Sequence, residues 1–325
     1  MTEKKPLNIA VIGGSGFIGK WLVDNLLNQG HTVSILDIQK PAFETSAHWQ
    51  DVDVRNPEGL KVALTGCDVI YNLAAEHQDN VEPVSLYYDV NVTGAKNICA
   101  AAVECNIARI VFTSTVAVYG MNKPEPDETA PIDPFNHYGH SKAEAEDVFK
   151  KWGQQNQSRR LTIIRPTAVF GPENRGNVYN LCRQIHSGKF IMIGHGKNRK
   201  SLAYVGNVAA FLEFVLNQSE NFEIYNYIDK PDFDIGQLVN IIYQEIKPGK
   251  KRPFALPYAA GYLAGTGFDI FSQLTGRNFP ISRQRIEKFC SDTVFPADRA
   301  LDSGFQPPYD LKEALGYTLK YEFQR

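Results

Sequence analysis

Tyr138 and Lys142 stand four positions apart in the stretch HYGHSKAEAE, residues 137–146. On a helix that spacing puts both side chains on one face, and such a pair can move a proton. A tyrosine with its ordinary pKa of ~10 is a poor base at neutral pH, and bringing it to ~7 takes roughly 4 kcal/mol of extra stabilisation of the phenolate. A cation ~4 Å away at an effective dielectric of ~20 supplies about that much, so one lysine suffices. Any soluble helix can carry such a pair, however, and spacing alone does not separate a catalyst from two polar residues on a wet surface.

The helix carrying the pair is expected to begin at Asp133-Pro134, because proline is favoured in a first turn. Tyr138 would then sit early in the helix, where the dipole favours an anion. The AEAE that follows reads as the solvated face. Upstream, FTSTVAVYG (residues 112–120) sets Ser114 and Thr115 at the carboxyl end of an apolar run, the edge at which open α/β sheets place ligands.

A device for holding a nucleotide lies near the N-terminus. In IAVIGGSGFIGKWLVDNL, Gly13, Gly16 and Gly19 fall between an apolar strand and an amphipathic helix. Gly13 allows a tight turn, Gly16 lets the backbone approach a pyrophosphate, and Gly19 permits close helix-to-strand packing, while the helix start at Phe17 and Ile18 offers free N–H groups to phosphates. Further on, Asp37 closes the second strand, SILD. A carboxylate there accepts from both ribose hydroxyls and repels a 2′-phosphate, which favours NAD over NADP.

These devices need a frame. LNIAVIG, TVSILD, VIYNLA, RIVFTS and LTIIRP are short apolar runs without polar alternation, interleaved with helical stretches at 17–27, around 85–104 and from about 137. Runs of that kind are parallel strands covered on both faces. The expected class is α/β, a Rossmann-type doubly wound parallel sheet with a smaller, mixed α/β substrate domain toward the C-terminus. The nucleotide domain is read as 1–170 with a returning segment at about 203–229, and the substrate domain as 171–202 and 230–325.

Bulk properties narrow the partners. Two domains suit 325 residues, and 34 basic against 36 acidic residues leave no electrostatic footprint for nucleic acid. The charged start runs into glycines with no cleavage site, unlike a signal peptide. YAAGYLAGTGFDIFSQLTG (258–276) is interrupted by glycines and Asp269 short of the ~20 apolar residues of a membrane span. A cytoplasmic protein without a membrane partner is expected. Cys67, Cys99, Cys105, Cys182 and Cys290 are scattered with no CxxC pair, and the histidines form no metal-ligand pattern, so neither a disulfide framework nor a metal is expected.

The GxxGxxG spacing of GGSGFIG resembles the extended short-chain dehydrogenase/reductase family, in particular its NAD-dependent nucleotide-sugar epimerases and dehydratases. The resemblance covers nearly the whole chain. DVDVRN (51–56) is similar to a segment in which an acidic residue, here Asp53, meets the adenine amino group while the next, Val54, packs nearby. NLAAEHQDNVEPVSLYYDVNVTGAKN (72–97) resembles one in which Leu73, Ala74 and Ala75 line the cofactor and Asn91 supports the site. The resemblance implies that Thr115 hydrogen-bonds the reacting sugar oxygen with Ser114 as its neighbour, that Tyr138 exchanges the hydroxyl proton, and that Lys142 lowers the tyrosine pKa and grips the nicotinamide ribose. It also implies a diphosphate contact at Arg199 or Lys200 in GHGKNRKSLAYVGNVAAF (194–211), further substrate contacts at Asn177 and Arg283, and a homodimer through helices at about 85–105 and 137–152.

Within that family, 4,6-dehydratases carry an Asp-Glu pair directly after the threonine, where this chain has Val116-Ala117. The reading is a nucleotide-sugar 4-epimerase, with a UDP-sugar as substrate, that works by reversible hydride transfer through a 4-keto intermediate. A ketoreductase or dehydrogenase of a nucleotide deoxy-sugar is the alternative, because Ala168 in RPTAVFGP (165–172) replaces an asparagine typical of the epimerases. A non-catalytic NAD(P)-binding sensor is the second, and the presence of Tyr138 and Lys142 speaks against it.

Overall fold

The computed structural model describes residues 5–78, 80–250, 255–275 and 283–324. In chain order the elements are β1 Asn8–Ile12, α1 Phe17–Asn28, β2 Thr32–Asp37, β3 His48–Asp51, α2 Pro57–Leu64, β4 Val69–Asn72, α3 Ser85–Tyr88, α4 Gly94–Glu104, β5 Arg109–Thr113, α5 His137–Gln154, β6 Arg160–Pro166, β7 Ala168–Phe170 and α6 Asn177–His186. There follow β8 Met192–Ile193, β9 Arg199–Tyr204, α7 Val205–Phe214, β10 Phe222–Tyr227, β11 Asp229–Asp234, α8 Ile235–Ile246, β12 Ala255–Leu256, α9 Tyr258–Thr275, α10 Arg283–Cys290, α11 Asp298–Asp302 and α12 Leu311–Phe323.

Two compact units result. The first comprises Met1–Val169, Ala203–Ile228 and Pro296–Tyr309, and the second Phe170–Leu202, Asp229–Phe295 and Asp310–Arg325. The return of 296–309 to the first unit differs from the sequence reading, which put all of 230–325 in the second. Its reason is local: the Phe305 ring sits 5.0 Å from that of Phe211 on α7, and Asn207 exchanges two hydrogen bonds with the Tyr309 backbone (2.9 and 3.0 Å).

The first unit is built on a seven-stranded sheet in the order β10-β6-β5-β4-β1-β2-β3, parallel throughout. The apolar runs form its strands because both faces are covered. On one face Leu22, Val23 and Leu26 of α1 and Val208, Phe211 and Leu212 of α7 close over Val11, Ile35 and Tyr71. On the other, Leu60 of α2, Ile98 of α4 and Phe149 of α5 close over Ile12, Ile70 and Phe112. Each such side chain buried in full contributes ~1.5–3 kcal/mol relative to exposure. From β1 the chain moves outward to β2 and β3, and with β4 it starts outward in the opposite direction. That reversal between β1 and β4 is a topological switch point, and the crevice for a ligand opens at the carboxyl ends of those two strands.

The second unit pairs β11 antiparallel to β9 and β12 parallel to β8. Asp234 and Gln237 form a reciprocal capping box at the start of α8, the arrangement that satisfies two otherwise orphan amides. The stretch 258–275 is helical as α9. Among the described residues no helix is long and apolar enough to cross a membrane.

Candidate active site

At the switch point, Gly13 adopts φ +76°, a left-handed conformation that a side chain would resist. A Cβ there would also lie 2.6 Å from the Ala74 backbone nitrogen, so the loops after β1 and β4 can close on each other only through a glycine. Gly16 caps α1 without any side-chain hydrogen bond, which leaves the amides of the first turn, at Phe17 and Ile18, for an outside acceptor. Gly19 is close-packed, but a Cβ on it would meet the Gly14 backbone at 2.5 Å; it serves the loop rather than the strand. Asp37 ends β2 with its two carboxylate oxygens accepting from the Ser15 amide (3.1 Å) and the Gln39 amide (2.9 Å). It therefore braces the glycine loop from the end of the strand. A glycine cradle, an uncapped helix start and a strand-end carboxylate together fit a dinucleotide.

The segment of Asp53 and Val54 is held the same way, by backbone clamps. Asp53 binds Arg55 through Nε and Nη2, and that guanidinium keeps its carboxyl below the usual carboxylate range. The Val54 carbonyl accepts from Asn97 Nδ2 (2.9 Å), and a Cβ on Gly94 would lie 2.8 Å from Val54 Cγ2. Gly94 and Asn97 of NVTGAKN thus fix the segment that carries Asp53.

Residues 85–104 are helical with a wider π-helical turn at Asp89–Thr93, a deviation common at functional sites. It presents Asn91 inward. Buried Asn91 accepts from the Glu76 amide (2.9 Å) and donates to the Glu76 carbonyl (3.0 Å) and to Ser141 Oγ (2.8 Å). Ser141 Oγ also meets the Tyr138 carbonyl at 2.9 Å. One side chain thereby ties the loop after β4, where Leu73, Ala74 and Ala75 lie, to the first turn of α5.

Helix α5 starts at His137, with Asn136 as its cap accepting from the Gly139 amide (2.8 Å). The expected start at Asp133-Pro134 is thus three residues early, because the asparagine offers a side-chain acceptor that proline cannot. Tyr138, Lys142 and Glu146 follow at one-turn intervals. Tyr138 is half-buried; loss of water pushes its phenol up to about 12, and a hydrogen bond with Thr115 acts in the opposite direction. Thr115 also caps the short turn that follows it, accepting from the Ala117 amide (3.1 Å). Lys142 is 1% exposed. Its Nζ donates to the Thr113 carbonyl (2.7 Å) and lies 4.2 Å from the centre of the Phe112 ring, and burial lowers its pKa to about 7 despite the charge of Glu146.

The lysine is placed otherwise than expected: it shares a helix face with the tyrosine, but its ammonium is directed to Thr113 and Phe112. AEAE is likewise not all solvated: Glu144 is exposed, whereas Ala145 and Glu146 are fully buried. Glu146 accepts from Arg165 Nε (2.8 Å) and Nη2 (2.6 Å), from Ser114 Oγ (2.6 Å) and from Lys150 (3.2 Å). Despite burial these partners keep its carboxyl below the usual range, and Arg165 is held charged in turn. Arg165 also donates to Tyr119 Oη (2.7 Å), which donates to Asn226 (2.7 Å). Ser114 therefore belongs to the support beneath the site, its hydroxyl proton directed at Glu146 and away from any sugar. A sequence signal existed: Glu146 repeats the spacing of Tyr138 and Lys142, and Arg165 follows Ile163 and Ile164 in a core strand, where a charge needs a partner.

The four remaining expected substrate residues lie in the second unit. Asn177 is exposed at the start of α6, and Arg199 is exposed at the start of β9. Arg283 pairs with Glu287 on its own helix (3.0 Å) and stacks over Tyr262. Lys200 donates to the Lys288 carbonyl (2.9 Å), the Ser291 carbonyl (2.6 Å) and Thr293 Oγ1 (2.8 Å), and burial lowers it to about 8. All three ammonium hydrogens are committed, so of the pair Arg199 or Lys200 the lysine is a strut within its unit and not the diphosphate ligand. Among the described residues no cluster of side chains could hold a metal.

A parallel sheet with a glycine cradle at its switch point, and with Thr115, half-buried Tyr138 and buried Lys142 at the next strand end, fits a nicotinamide-dependent oxidoreductase site. Residues 9–227 match the sequence profile of the NAD dependent epimerase/dehydratase family. The chain belongs to that family, and NAD is its cofactor. It is 48% identical over 319 residues to N-acetyl-alpha-D-glucosaminyl-diphospho-ditrans,octacis-undecaprenol 4-epimerase of Escherichia coli O157:H7, covering 97% of this chain and 95% of that protein. It shares the fold of the UDP-glucose 4-epimerase of Thermus thermophilus in complex with NAD (TM-score 0.75, 22% identity, 97% of this chain and 98% of that one). The UDP-N-acetylglucosamine 4-epimerase of Bacillus cereus has the same fold (TM-score 0.76, 19% identity, 97% and 99% covered).

Proposed function

We propose that the protein is an NAD-dependent 4-epimerase of a sugar carried on a diphosphate. The observation that carries this reading is the Thr115–Tyr138 hydrogen bond beside buried Lys142, in a chain 48% identical to a sugar 4-epimerase. NAD, when bound, would supply the reversible hydride acceptor for the sugar carbon. Tyr138 takes and returns the proton of the C4 hydroxyl, a role that requires its phenolate, Thr115 holds that oxygen, and Lys142, with its pKa near 7, is about half protonated at neutral pH and carries positive charge as pH falls. Gly13 and the first turn of α1 hold the pyrophosphate, Asp37 the ribose and Asp53 the adenine. Val116 and Ala117 offer no carboxylate for eliminating water, which favours epimerisation over dehydration.

Two carriers fit a diphosphate: a nucleoside, as the sequence reading expects, and a polyprenol, as in the Escherichia coli relative. Near-full-length identity to that relative favours the polyprenol, with N-acetylglucosamine as the sugar. A homodimer through residues 85–105 and 137–152, in the cytoplasm, completes the proposal; the exposed Val84 and Val103 at those helices suit a partner. The test is turnover by purified protein, with no added cofactor, of polyprenyl-diphospho-N-acetylglucosamine against UDP-N-acetylglucosamine. Interconversion without added NAD supports epimerisation, a requirement for stoichiometric NADPH overturns it, and the preferred substrate decides the carrier.

A further inference from the structure

Helix α9 turns an unusual face outward. Ala260, Leu263, Ala264, Gly267, Phe268 and Phe271 recur at steps of three and four residues and are all exposed, a spacing that places them on one stripe. Leu263 is 71% and Phe271 52% exposed, and no charged side chain interrupts the stripe. The opposite side is used within the unit. A Cβ on Gly261 would lie 2.5 Å from Ile193 Cγ2, and one on Gly265 2.7 Å from Ile286 Cδ1. Small residues thus let α9 press onto β8 and α10, while Leu263, Phe268 and Phe271 face out, the reverse of an ordinary surface helix. Contiguous exposed apolar surface of this sort marks an interaction site.

Charge indicates what covers it. From Lys247 to Cys290 the chain carries eight lysines and arginines against two acidic residues, although the whole protein has a net charge of −2. Both acidic groups are engaged by one arginine: the Arg283 amide donates to Asp269 Oδ2 (3.0 Å) and Arg283 Nε to Glu287 Oε1 (3.0 Å). Lys250, Arg283 and Lys288 are exposed or partly so, the latter two on α10, which packs beside α9. An apolar stripe on a helix whose neighbouring helix carries exposed basic residues matches the headgroup layer of an anionic bilayer.

We propose that α9 is a docking surface that seats the second unit on an anionic membrane without crossing it. This rests on the reading that the substrate's carrier is a polyprenol, since such a carrier presents its diphosphate at headgroup level. The test is co-sedimentation of the full-length protein with vesicles of phosphatidylcholine alone and of equimolar phosphatidylcholine and phosphatidylglycerol, with a Leu263→Ser/Phe271→Ser variant beside the wild type. The expected result is binding to the anionic vesicles only, weakened by salt and at least about tenfold weaker in the variant, with unchanged thermal stability. Equal binding of the two proteins, or absence of binding, overturns it, as does a variant that turns from dimer to monomer in analytical ultracentrifugation, which would make a second copy the occupant. If binding fails while detergent-dispersed polyprenyl-diphospho-N-acetylglucosamine is still epimerised, only the docking surface falls. If binding holds while only UDP-sugars are turned over, the polyprenol reading falls.

Discussion

Lys142 in the first unit is fully buried and Lys200 in the second half-buried, and the two differ in how many hydrogen bonds hold them. Loss of water lowers both, to about 7 and about 8. Lys142 has one hydrogen bond among the described residues, to the Thr113 carbonyl, and shares a helix face with Tyr138. Lys200 has three, all to its own unit. A shifted pKa therefore marks burial, and what separates a working lysine from a structural one is the donors left over after the fold has been satisfied.

The largest expected effect lies at the working end. Tyr138→Phe removes the exchangeable proton and nothing that holds the helix, so kcat should fall by ~10³-fold or more with NAD binding and melting temperature unchanged. Turnover within about tenfold of wild type would leave Thr115 and Lys142 without a reaction to serve. Next comes the support beneath it. Glu146→Ala leaves Arg165 charged and buried without its main partner, and should cost ~3–5 kcal/mol in urea unfolding. Replacing both by similar-sized apolar residues, Glu146→Leu with Arg165→Met, should recover most of that loss. A double variant no more stable than the single one would mean that the Tyr119 and Asn226 links matter more than the ion pair.

These two predictions fall on opposite sides of what the sequence displays. Gly13, Gly16, Asp37 and the strands around them are legible because a tight turn, an uncapped helix start and two-sided burial each demand a residue type at a fixed spacing. Tyr138 and Lys142 are legible by helical periodicity. Glu146 is not, because AEAE alternates as a wet helix face does, and its burial depends on Arg165 arriving from a strand 19 residues later. Lys200 misleads for the same reason: its three acceptors come from residues 288–293, the end of α10 and the loop after it, 88 to 93 residues further along the chain. The return of 296–309 to the first unit rests on the Phe305 ring and on the Asn207 bonds to the Tyr309 backbone, contacts that leave no period in the sequence.

The lysines also predict a pH dependence. A folded pKa of about 7 for Lys142, below its unfolded value of ~10.4, means that between those values the unfolded chain binds the extra proton. Stability should therefore be lowest below about pH 7 and rise as pH increases toward ~10. Lys200 adds a similar rise starting from about 8. Urea midpoints of Lys142→Met should lose the part of the rise between about pH 7 and 8 and keep the part above it that Lys200 supplies. An unaltered profile would show that Lys142 keeps its proton in the folded protein through this range, with Glu146 outweighing burial.

The smallest effect tests the second unit's side of the comparison. Lys200→Met removes three hydrogen bonds but fills much the same volume, and also removes a charge that burial disfavours. The two terms oppose each other. Each lost bond leaves an acceptor to find water, at ~0.5–1.5 kcal/mol apiece, whereas burying methionine in place of an ammonium recovers part of that sum. A net loss of about 1–2 kcal/mol in urea unfolding is expected, with KM for the diphospho-sugar within about twofold of wild type. Arg199→Gln, at the neighbouring exposed position on β9, should do the reverse if it meets the diphosphate: stability unchanged and KM raised about tenfold or more, because a guanidinium clamps two phosphate oxygens where an amide cannot. A KM effect at Lys200 equal to that at Arg199 would show that the ammonium leaves its three acceptors when substrate arrives. The distinction between a working and a structural lysine would then belong to the ligand-free protein alone.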